Sequence, residues 1–228
     1  MDNKNSKSVK ADKKTGSKPK AKPATPARLE NGALFYLERF SSSRENLRRL
    51  LMRRVQKSAQ TYDTDIDEGV AAIQDIIERF EDLGLLNDRL YATNKIKGYH
   101  RRGLSMRAMR MKLKEKFVDD GDIEGAFEAL KLDVVSPEIE AAINYARRRR
   151  IGPYRSLRTQ RYGEAPDVVD DADLENLTGP NHPSRVDYVQ RDLGAMARQG
   201  FSYELAKSVV EAEDIESLEA LVEEAANP

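Results

Sequence analysis

Ser105-Met-Arg-Ala-Met-Arg-Met-Lys-Leu-Lys-Glu-Lys-Phe117 decides the reading of this chain. Its apolar residues Met106, Met109, Leu113 and Phe117 fall at helical spacing, so the stretch is expected to bury one stripe of an amphipathic helix. The same pattern starts at Ser43, where Leu47, Leu51 and Val55 match Met109, Leu113 and Phe117, and again at Arg185, with Val189, Leu193 and Ala197. The offsets are 62 and then 80 residues. A chance match between amphipathic helices is the plain alternative. Against it, each copy also carries one helical stretch before the aligned one and another after it. Nothing alternates with period two for long enough to make a sheet. The expectation is an all-α chain of three tandem three-helix repeats, each contacting mainly its neighbours.

Working outward, Leu34, Leu37 and Phe40 mark the first short helix. Ser42 with Glu45 three residues on reads as a capping box. Thr64 or Asp65 can cap the next helix, with Val70, Ile73, Ile77, Phe80 and Leu83 inward and Gly84 as its stop. Ser136-Pro137-Glu138 is a strong helix start, with Ile139, Ile143 and Ala146 on the inner stripe. Residues 1–28 hold almost nothing that can be buried and are read as a disordered Lys-rich tail. The repeats are assigned to 29–90, 91–133 and 134–228. The last is interrupted by an acidic loop insert near 163–183, which accounts for the longer second offset.

The 228 residues carry 39 Lys+Arg and 39 Asp+Glu, no Cys and two His. Without Cys there is no disulfide scaffold, no thiolate metal site and no thiol nucleophile. Mean hydropathy is −0.71, no stretch approaches a membrane span, and the N-terminus has no hydrophobic signal core. A soluble, cytoplasmic chain is expected. Gly98-Tyr-His-Arg-Arg-Gly103-Leu-Ser105 imitates a phosphate loop but has Leu104 where the lysine must stand, so it is rejected as a nucleotide site. Asp170-Asp171-Ala-Asp173 lacks the turn and glutamate of a calcium loop and is read as solvated. His100, surrounded by bases, is read as a surface residue of a basic patch, and His182 as a loop residue. No catalytic residue, metal site or cofactor is expected.

The balanced total hides segregated charge. Residues 1–28 hold eight Lys and one Arg against two Asp, and Lys95–Lys116 holds nine bases against Glu115 alone. Seven Arg and no acid follow between Asn144 and Arg161, then six acids and no base from Glu164 to Asn181. A charge run is most often a solvated helix face. Here, bases this dense repel one another, a cost that a purely structural face would avoid. Arg101, Arg102, Arg107, Arg110 and Lys114 are therefore expected to form a ridge facing anions. Arg147, Arg148, Arg149 and Arg150 spread around a helix end, where the dipole explains part of the run but not Arg155. The tract's preference for Arg over Lys suits bidentate contacts to phosphate or carboxylate. On these residues alone, a helical DNA-binding protein of helix-turn-helix type remains an alternative, although base-reading Asn or Gln are not interleaved with the bases.

Three stretches then carry a resemblance: Phe80-Glu-Asp-Leu-Gly-Leu-Leu-Asn-Asp-Arg-Leu-Tyr-Ala92, Gly98-Tyr-His-Arg-Arg-Gly103, and Ala197-Arg-Gln-Gly-Phe-Ser-Tyr203. In order and spacing they resemble the RecX family of bacterial regulatory proteins, which modulate the RecA recombinase. Ala146-Arg-Arg-Arg-Arg-Ile-Gly-Pro-Tyr-Arg155 resembles the α-proteobacterial form. The resemblance covers about Ala33 to Val210. It implies an elongated, curved helical array that binds in the groove of the RecA–DNA filament, bridging subunits; a monomer is expected. There it would limit filament growth and suppress ATP hydrolysis, strand exchange and coprotease activity. Where the family usually closes the second-copy helix with Lys-Gly, this chain has Lys116-Phe117, so that turn is expected to be built differently.

Overall fold

A computed structural model describes residues 22–155 and 185–226, and within them ten α-helices and no strand. The first copy comprises α1 (Pro26–Leu37), α2 (Arg44–Ala59) and α3 (Ile66–Asp82). The second comprises α4 (Asp88–Arg101), α5 (Met106–Lys114) and α6 (Asp120–Asp133). The third has α7 (Pro137–Arg149), a 3₁₀ turn at Gly152–Tyr154, α8 (Arg185–Arg198) and α9 (Tyr203–Val210), and α10 (Ile215–Ala226) follows it. No described helix is long and apolar enough to cross a membrane. The acidic insert and residues 1–21 lie outside the described residues.

Local chemistry sets the helix starts. Ser43, Ser105 and Ser202 are N-caps whose hydroxyls accept from the amide three residues on, while Asp65 caps α3 by accepting from Asp67 and Glu68 and Asp119 caps α6 by accepting from Gly121. Ser42 is not the cap: its hydroxyl accepts from the Asn46 side chain, and Glu45 pairs with Arg48 and Arg49. The first helix also begins earlier than its apolar spacing suggested. Thr25 stands at its N-cap position and Pro26 opens it, so Pro26, Ala27 and Arg28 belong to α1 rather than to a tail. Leu29 and Ala33 are the residues it buries, whereas Leu34 and Phe40 are exposed. In α3, Ile73, Ile76, Ile77 and Phe80 face inward, while Val70 and Leu83 lie outside the stripe.

The caps of the third helices lie 83 residues apart, Asp119 against Ser202, so the third copy sits three residues further along than the apolar spacing placed it. Met196 accordingly fills the buried position that Leu113 holds in the second copy, and Ala197 is exposed. Phe117 is likewise not part of the inner stripe. Helix α5 ends at Lys114, the amides of Phe117 and Val118 return to the carbonyls of Lys114 and Leu113, and Val118 enters the core in its place. Phe117 sits at φ 59°, the left-handed conformation that a glycine supplies at low cost. The turn was not rebuilt around the bulkier residue. It keeps a glycine-like backbone, as at Gly200 (φ 88°) after α8.

Successive copies join through one recurring arrangement. The Ser43 hydroxyl donates to the Lys116 carbonyl in the turn after α5, and the Ser105 hydroxyl donates to the Gln199 carbonyl in the turn after α8 (2.6 Å). At the same ends, Asp88 accepts from the Arg44 amide (2.7 Å) and Glu138 from the Met106 amide (2.7 Å). An acid opening each later copy thus satisfies the first amide of the earlier copy's second helix. The hydrocarbon is distributed less evenly. One core, with Leu29, Leu51, Ile77 and Phe80, belongs to the first copy, and a second runs unbroken from Tyr91 through Phe127 and Tyr145 to Leu218.

Candidate cationic interface

Helix α4 ends in a turn that fixes the first two ridge residues. Gly103, at φ 72°, returns its amide to His100, and a Cβ there would lie 2.3 Å from the Tyr145 nitrogen of α7. Only glycine allows this close approach. It packs the turn that follows Arg101 and Arg102 on Tyr145 of α7. Arg101 is exposed with no ion pair among the described residues. Arg102 lies 4.9 Å over the Tyr99 ring, and its Nε donates to the Gly98 carbonyl. Arg107, on α5, is exposed beside the Gly200 turn and makes no ion pair among the described residues.

The rest of the ridge is not bare. Arg110 Nη2 lies 2.6 Å from Glu124, with the guanidinium 5.0 Å over the Phe127 ring, and Lys114 Nζ lies 3.0 Å from Asp120. Lys97 reaches Asp133 at 2.6 Å. The sequence from Lys95 to Lys116 is poor in acids, but α6 folds back alongside and supplies them.

The second tract divides as well. Arg147 lies 5.4 Å over the Tyr154 ring, and Arg148, Arg149 and Arg150 are exposed without ion pairs among the described residues. Arg150 is left-handed at φ 55°, closing α7 as Gly103 closes α4. Arg155 is committed elsewhere: its guanidinium pairs with Asp192 and covers the Tyr188 ring, and its side chain is only 14% exposed. The bases open to an anion are thus Arg101, Arg107 and Arg148–Arg150, with Arg102 and Arg147 held on tyrosine faces.

Against this geometry the chain was compared with known proteins. No family model matches it. It is 32% identical over 201 residues, 88% of this chain and 94% of the other, to the regulatory protein RecX of Myxococcus xanthus (strain DK1622). The chain belongs to the RecX family. The regulatory protein RecX of Thermobifida fusca (strain YX) is 28% identical over 178 residues, 74% of this chain and 78% of that one. The crystal structure of RecX from Lactobacillus salivarius is similar with a TM-score of 0.49 at 19% identity, covering 86% of this chain and 97% of that one.

In this RecX-family chain, several site-shaping residues escaped the sequence reading. His100 is buried rather than a surface base, its Nε2 3.0 Å from the Pro137 carbonyl. Glu138 lies under α5, and burial pushes its carboxyl up from the usual range despite the Met106 amide. Burial raises Asp88 too, against the opposing pull of Arg44. Tyr99 and Tyr154, the rings under Arg102 and Arg147, were missed as well: the three-residue helical spacing from Tyr99 to Arg102 could have signalled the first, but the second is brought back by the turn after α7. The exposed guanidinium groups are charged and carry planar N–H donors of the kind that suits anions. Among the described residues no His/Cys/Asp/Glu group is arranged for a metal ion.

Proposed function

We propose that this RecX-family chain is a non-enzymatic regulator of a RecA recombinase, acting in DNA repair and recombination in the cytoplasm. As a monomer it lies in the groove of the RecA–DNA filament and bridges subunits. There it limits filament growth and suppresses ATP hydrolysis, strand exchange and coprotease activity. The Arg147–Arg150 run argues for the α-proteobacterial type. What carries the reading is the set of exposed, unpaired arginines along α4, α5 and α7, in a chain kin to regulatory RecX proteins. A filament offers both phosphates and acidic side chains to such a set.

Base-specific reading by α5 is disfavoured. A helix-turn-helix presents the first residues of its second helix to base edges. In α5 that end is capped by Glu138 and docked on the Gln199 turn.

DNA-dependent ATP hydrolysis by RecA tests the proposal. Inhibition is expected near equimolar ratio, and none at several-fold excess would overturn it. Arg110 is a poor probe, because a glutamate there would face Glu124 and lose its partner. Arg107→Glu with Arg148→Glu avoids this, since neither side chain is in an ion pair among the described residues. That variant should stay helical and bind the DNA-loaded filament roughly tenfold more weakly. A log–log salt slope shallower by about two would identify phosphates as the partner, and a near-constant slope acidic side chains.

A further inference from the structure

The outer end of the first copy differs from the internal ones. Where α4 and α7 open with the junction acids Asp88 and Glu138, α1 opens with Pro26-Ala27-Arg28 and has no acid in its first turn. Beside it lies an open cleft of about 350 Å³. Its walls carry Lys22, Arg28, Arg54 and Lys57, its floor Ala24 and Leu29, and no acid lines it. All four bases are exposed, and none makes an ion pair among the described residues.

The cleft is also built for one of them. Gly32 stands in the interior of α1, where glycine is a poor helix former. A Cβ there would lie 1.7 Å from Arg54 Nη1. The missing side chain is the space in which the Arg54 head rests against α1.

We infer that this end cleft is a second anion site, separate from the α4–α5–α7 face, and that it takes the phosphodiester backbone of single-stranded nucleic acid. Two arginine forks match phosphate oxygens, and the apolar floor gives sugar and base a surface that an acidic peptide would not need. The sequence leading into Lys22 adds seven lysines in 21 residues, which suits a repeating polyanion better than a single anion. On the far side of the Pro23–Pro26 segment, Asp63, Asp65 and Glu68 line a neighbouring cleft and repel phosphate. The strand is thereby confined to the Lys57 side.

The site needs no RecA, so binding of the full chain to labelled oligothymidylate tests it apart from the regulatory reading. Arg54→Glu with Lys57→Glu should lower affinity about tenfold and flatten the salt slope by about 1.4, the single-strand value for two contacts. Arg54→Gln with Lys57→Gln repeats the test should the reversal disturb the fold. Gly32→Ala displaces the Arg54 head while improving the helix, so it should lower affinity several-fold with the melting temperature unchanged or raised. Unaltered affinity and slope in the folded double variant would overturn the site. So would a loss of poly-glutamate binding with oligothymidylate binding intact, because the cleft would then serve acidic protein.

Discussion

Two residues, Phe117 and Arg150, hold left-handed backbone in positions that glycine fills in another copy, Gly200 and Gly103. Such a residue costs about 1–2 kcal/mol. At Phe117 part of this is offset by Arg49, whose guanidinium stacks 3.7 Å from the ring centre, worth about 0.5–1 kcal/mol at an exposed site. Phe117→Ala loses the stack and keeps the strain, whereas Phe117→Gly loses both. The glycine variant should therefore be the more stable of the two by roughly 1 kcal/mol in denaturant titration. Equal stability would mean that the turn carries no left-handed cost. Residue identity predicted the stripe up to Leu113 correctly and then failed, because periodicity has no means of marking where a helix stops. His100 misled for a related reason. Its sequence neighbours are bases, but its spatial neighbour is the Pro137 carbonyl, 37 residues on.

At the scale of the element, starts were legible and docking was not. Ser105 and Asp65 announce their helices locally, since a cap contacts amides two or three residues away. The other partners of the capping serines lie 73 and 94 residues away, and no local pattern encodes them. The acids at these ends make an expectation about pH. A carboxyl raised by burial holds its proton more tightly folded than unfolded. Its stabilising contribution is present below the ordinary glutamate value of 4.5 and is lost as pH rises through the raised one. Glu138→Gln keeps a carbonyl for the Met106 amide and removes the charge. The melting temperature of the variant should gain on the parent as pH climbs from the acid range to neutrality. A difference independent of pH would show that Glu138 is not the titrating group. The ridge was legible only in part at this scale: Lys95–Lys116 is cationic as a string, but α6 returns Glu124 and Asp120 to Arg110 and Lys114.

For the molecule as a whole, the all-α repeat plan was readable because helical apolar spacing recurs in every copy, although in the third it was placed three residues early. What sequence could not show is that the hydrocarbon joins the second and third copies and leaves the first apart. Nor could it place the end of the tail. Residues 22–25 carry little to bury, yet the Ala24 amide donates to the Ser58 hydroxyl at 2.9 Å, and Ala24 packs on the first core. Removing residues 1–21 should leave thermal stability unchanged. Removing 1–25 should cost about 1 kcal/mol through the lost Ala24 hydrogen bond and packing contact, although the Ser58 hydroxyl keeps Thr64 as a partner at 2.7 Å. Removing 1–28 also cuts into α1, so it should cost more than either. Equal melting temperatures for all three would place the boundary back at Arg28.

The split core has a mechanical side. Between α7 and the helices it packs on, bending would tear hydrocarbon from hydrocarbon, and a close-packed interior resists that as a solid does. Between the first copy and the second, the junction described above is made of a serine hydroxyl, an aspartate, a backbone carbonyl and one stacked guanidinium, groups that water can replace one at a time. The array is therefore stiff over two-thirds of its repeats and jointed at one place. The compliance of that joint is set by hydrogen bonding and by the charge on Asp88 rather than by packing.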